Sequence, residues 1–134
     1  MSLGFVIVLQ KEIAGVEPRS FDGRMLAAKR HALDSIAHEQ DLRGLGEFVA
    51  FSRMEAEALA EDMRFDAPVV GGQTGRWFRP ADGLEVVRGI RDYLTASPDE
   101  IDDVLSIVAA LGSMEAILEA AEELGVKFRL SLDY

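Results

Sequence analysis

The two ends of the chain constrain its fold most, because each reads as a β-strand that needs a neighbour. Phe5-Val6-Ile7-Val8-Leu9 is an unbroken apolar run. It has the pattern of a strand covered on both faces. At the other end Val126, Phe128, Leu130, Leu132 and Tyr134 alternate with Lys127, Arg129, Ser131 and Asp133. That period of two predicts a half-exposed strand. A strand left alone would strand its backbone donors and acceptors. The N- and C-terminal strands are therefore expected to lie side by side, with the rest of the chain folded between them.

The intervening sequence reads mainly as helix. Asp22 is placed to cap a helix running to about Asp41. At about 100° per residue, Met25, Leu26, Ala32, Leu33, Ile36 and Ala37 gather on one side, and His31, Asp34 and His38 on the other. Gly44 or Gly46 suits a left-handed end. Phe48 to Phe51 reads as a short strand. Ser52, with Glu55, opens a helix from Met54 to Arg64. Gly71 to Gly75 reads as a flexible loop, and Arg76-Trp77-Phe78 as a short strand.

Pro80 opens a helix whose Leu84, Val87, Ile90 and Leu94 form an apolar stripe, with Arg88 and Asp92 spaced to pair on the opposite side. Ser97-Pro98-Asp99-Glu100 has the form of a capped helix start. The apolar set then changes face at Gly112-Ser113, which predicts two helices or one sharp kink. The expectation is a single α+β domain over residues 1–134. Its sheet has roughly three to four strands, the terminal ones included, packed against about five helices.

Composition excludes several chemistries. The chain of 134 residues has no cysteine, so disulfides, thiolate catalysis and cysteine-ligated zinc are absent. The apolar opening is too short to cross a bilayer and lacks the basic flank of a signal peptide, so a cytoplasmic location is expected. With 24 acids against 14 bases the formal charge is −10. That charge repels phosphate backbones and anionic lipid, so neither nucleic acid nor a membrane is the expected partner.

The negative charge is concentrated. Between Thr95 and Gly125 stand Asp99, Glu100, Asp102, Asp103, Glu115, Glu119, Glu122 and Glu123, with no Lys or Arg among them. The ordinary reading is a solvated helix face. The functional reading is an uncompensated surface facing a basic protein. Carboxylates on open faces do not supply the cleft that acid–base catalysis needs.

Two other groups of residues qualify as candidates. His31, Asp34 and His38 share a helix face and are a weak candidate set for a metal ion; the plainer reading is a solvated helix face, and no metal is expected. The histidines are about 10 Å apart along the axis, which is far for one ion. Trp77, the only tryptophan, stands between Arg76 and Arg79. Tryptophan and arginine are enriched at binding hot spots, so Arg53, Arg76, Trp77 and Arg79 are the candidate rim of a ligand pocket. The plainer reading is a core plug. Gly71 to Gly75 lacks the Gly-Lys-Ser/Thr ending of a phosphate loop.

The run Trp77-Phe78-Arg79-Pro80-Ala81-Asp82-Gly83-Leu84-Glu85-Val86-Val87-Arg88, followed by the capped acidic helices and Gly125-Val126-Lys127-Phe128-Arg129-Leu130, resembles a family of small bacterial conserved hypothetical proteins. No activity is attached to that family, and the resemblance carries over no site. The profile of a small, acidic, cysteine-free domain is also similar to that of bacterial immunity proteins.

The expected role is a non-enzymatic binding protein without a cofactor, presenting its acidic helical surface to a basic partner. A ligand-binding or enzymatic domain with a pocket near Trp77 and Arg79 is the alternative. A homo-oligomer built through sheet edges or helix faces is the third.

Overall fold

A computed structural model describes residues 3–49 and 77–133. The protein is α+β. Strand β1 (Gly4–Leu9) pairs antiparallel with β2 (Phe128–Asp133), so the two ends of the chain are neighbours. Phe5 faces Leu132 and Ile7 faces Leu130 across the ladder. Gly23 bridges Phe5 on the outer side of β1, where its carbonyl accepts the Phe5 N–H at 3.1 Å. A Cβ at Gly23 would stand 2.2 Å from the Phe5 carbonyl oxygen, so the approach requires glycine.

Helices α1 (Arg24–Ala28) and α2 (Arg30–Glu39) follow, then α3 (Pro80–Ala96) and α4 (Val104–Leu124). Among the described residues there are thus two strands and four helices, fewer than the sequence suggests. Phe48 belongs to a 3-10 turn, Leu45–Phe48, and Val49 makes only a single bridge to Leu130. Phe78 likewise makes one bridge, to Phe128. The helix expected from Met54 to Arg64 and the Gly71–Gly75 loop lie outside the described residues.

Apolar burial holds these elements together. Leu84, Val87, Ile90 and Leu94 of α3 are all buried, as their spacing predicts. They meet Ile107, Leu111, Met114, Ile117 and Leu118 of α4 in one core, while Ala121 packs with Ile13 and Val126 in a smaller cluster. The rings of Phe48, Phe78 and Phe128 close it beside the sheet. The first two meet edge-to-face at 5.2 Å, and Phe48 lies 5.4 Å from Phe128. Such pairs contribute about 1 kcal/mol each beyond their buried area.

Five local expectations are corrected. The strand β1 is covered on one face only, with Phe5 and Ile7 buried and Val6 37% exposed. A break at Lys29 divides the first helix in two, and Ala32 is exposed. That helix ends at Glu39, with Asp41 rather than a glycine in the left-handed region (φ 58°). Its successor Leu42 donates to the Ala37 carbonyl at 2.8 Å, which completes the turn.

Pro98–Glu100 forms a 3-10 turn instead of a helix start, and α4 begins only after Asp103, itself left-handed at φ 61°. Finally, α4 runs unbroken through Gly112-Ser113. Its buried set at 107, 111, 114, 117, 118 and 121 is one stripe of a continuous helix. Leu105 and Leu124, whose apolar character suggests burial, are 84% and 63% exposed, and the buried Ile107 carries the stripe through the first half of the helix. Gly125, at φ 67°, ends α4 as expected.

Candidate functional site

Seven of the eight carboxylates between Thr95 and Gly125 fall into two groups, and Glu123 stands apart. Toward the end of α4, Glu115 and Glu119 are compensated by arginines of α3, and Glu122 has a neutral partner there. Arg88 donates from Nε to Glu115 and from Nη2 to Glu119, each at 2.8 Å. Arg91 also donates from Nη1 to Glu115. Glu115 is drawn into the seam, with its side chain 17% exposed. The Arg88 hydrogen bond, then that of Arg91, holds its carboxyl below the ordinary range. Glu122 accepts the Ala81 N–H at 3.1 Å, in the first turn of α3, where an anion is favoured. Arg88 pairs with α4 rather than with Asp92, whose neighbour is Arg91 at 3.7 Å.

The second group sits in the turn between α3 and α4. Asp99, Glu100, Asp102 and Asp103 are all exposed. Glu100 accepts from the Tyr93 hydroxyl at 3.0 Å, a neutral partner that leaves its charge in place. That bond pushes the Tyr93 pKa up. The side chains of Asp99, Asp102, Asp103 and Glu123 have no ion pair or hydrogen bond among the described residues. The uncompensated negative surface is therefore smaller than the sequence suggests. It comprises this turn, with Leu105 exposed beside it, and Glu123 near the far end of α4.

The turn stands at the start of a helix with two unlike faces. α4 is long and apolar enough to cross a membrane by length and composition, yet only 33% of its most apolar window is buried. Leu105, Ala109 and Ala116 are exposed on the side turned away from the core.

The other candidates are placed as follows. Arg53 and Arg76 lie outside the described residues. Trp77 is half-buried, and the Arg129 guanidinium from β2 lies over its ring at 4.5 Å. Arg79 does not join it; its guanidinium pairs with Asp82 at 3.0 Å. Arg129 escaped the sequence reading because it stands 52 positions from Trp77 and only the β2–Phe78 bridge brings the two together.

His31, Asp34 and His38 are not assembled around a common point. Asp34 accepts the Leu45 N–H at 2.8 Å, while His38 approaches Glu47 at 4.0 Å. Among the described residues no three ligating side chains are grouped to hold a metal ion.

No protein-family model matches this chain, and no curated protein or solved structure is significantly similar to it.

Proposed function

We propose that the protein is a non-enzymatic binding module of the cytoplasm that offers the α3–α4 turn and the start of α4 to a basic protein partner. The observation that supports this is the contrast within one acidic segment. Glu115, Glu119 and Glu122 have partners on α3, whereas Asp99, Asp102 and Asp103 have none among the described residues. Four carboxylates within five residues repel one another, a cost that a cationic surface removes on docking. Leu105, 84% exposed next to them, adds apolar area at the same place.

The core stripe of α4 and the carboxylates of its last turns support its reading as a core helix of a soluble domain rather than a membrane span. The test is capture of a partner on the immobilised protein. A basic protein retained by the wild type should be released as salt rises and should not be retained by an Asp99→Asn, Asp102→Asn, Asp103→Asn variant. Equal retention by both proteins would remove the turn from the interface.

A further inference from the structure

Between α1 and the outer flank of α4 runs an open groove of about 760 Å3. Its lining includes none of the four carboxylates of the acidic turn and not Trp77. Its apolar part is made by Leu3, Met25 and Ala28 on one side and Ala109 and Ala110 on the other. Ser106 and Ser113 of α4 add two hydroxyls about 10 Å apart along the helix axis.

Arg30 gives the groove its character. This side chain lines it and is half-buried. Its Nη1 donates to the Ala27 carbonyl at 2.6 Å, and it has no carboxylate partner among the described residues. A guanidinium carries five N–H donors in a planar fork suited to carboxylate and phosphate. The other arginine of the groove, Arg24, is already engaged by Asp22 at 2.7 Å. With Asp22 and Arg24 of the lining paired to each other, Arg30 is the uncommitted cation beside an apolar wall and the hydroxyls of Ser20, Ser106 and Ser113, in a chain of net charge −10.

We infer that this groove binds a small amphipathic anion, with its carboxylate or phosphate on Arg30 and its short apolar body against Met25, Ala28 and Ala109. A serine hydroxyl can donate a second hydrogen bond to the head group or to a polar atom further along. The apolar wall sets a preference for a ligand with a body over a bare ion.

Titration of the isotope-labelled full chain with octanoate, octyl phosphate, inorganic phosphate and octylammonium tests this. Amide shifts should move saturably around Ala28 to Arg30 and Ser106 to Ser113 with octanoate or octyl phosphate. The tighter of the two identifies the head group. Arg30→Gln should weaken that binding about tenfold, the effect of losing one charge-assisted contact. Arg30→Lys should recover part of it. Octylammonium binding as tightly as the anions, or an unchanged affinity in Arg30→Gln, would overturn the inference. Equal binding of inorganic phosphate would overturn the role of the apolar wall.

Discussion

The Arg88 guanidinium of α3 donates to the Glu115 carboxylate of α4 at 2.8 Å, which turns part of an acidic segment into a helix–helix clasp. Glu115→Gln keeps the shape and removes the charge. The variant should lose about 1 kcal/mol, or roughly 3 °C in melting temperature, because the pair lies near the surface. Thermal melts of the two proteins at neutral pH check this.

The same carboxylate gives a pH dependence of definite sign. Its pKa in the folded protein is below the ordinary value. Its contribution is therefore complete above the ordinary carboxylate range and is lost as pH falls through the depressed folded value. The difference in melting temperature between wild type and Glu115→Gln should shrink on acidification. A difference that widened would contradict the pairing.

Two glycines in the helix pair should respond oppositely to alanine. A Cβ at Gly112 would meet nothing within 4 Å, and the backbone there is plain helix. Gly112→Ala should stabilise by about 0.5–1 kcal/mol. A Cβ at Gly83 would stand 2.6 Å from the Phe128 ring and 2.9 Å from Leu118. Gly83→Ala should therefore destabilise by roughly 1–3 kcal/mol through overpacking. Urea titrations of both variants measure the two signs.

Asp34 is assigned to structure by its bond to the Leu45 N–H. Asp34→Ala should cost about 1–2 kcal/mol, since the variant leaves a part-buried donor without its acceptor. Added zinc should leave the melting temperature of the wild type unchanged. A metal-dependent rise that disappears in Asp34→Ala would restore the ligand reading.

The terminal strands were legible in the sequence because burial imposes a period on them. Phe128 and Leu130 sit in the core where alternation puts them. The stripe of α3 was legible for the same reason. Misreadings arose where an apolar residue carries no information about which way it faces. Leu105 is as apolar as Leu111, but one is exposed and the other fully buried. A capping pattern at Ser97 likewise predicted a helix that Pro98–Glu100 does not continue. The clasp between Arg88 and Glu115, 27 positions apart, depends on tertiary packing that no local pattern encodes.

The most direct test of the proposed partner surface is to map where a cationic helix touches the protein. The isotope-labelled chain is titrated with a lysine- and leucine-rich amphipathic peptide, and amide shifts are followed. The proposal predicts shifts concentrated from Asp99 to Ser106 at low salt. They should be lost at about 1 M salt, where the screening length is about 3 Å. They should also be lost in the Asp99→Asn, Asp102→Asn, Asp103→Asn variant. Shifts centred on Glu115 and Glu119, or spread evenly over every exposed carboxylate, would contradict it.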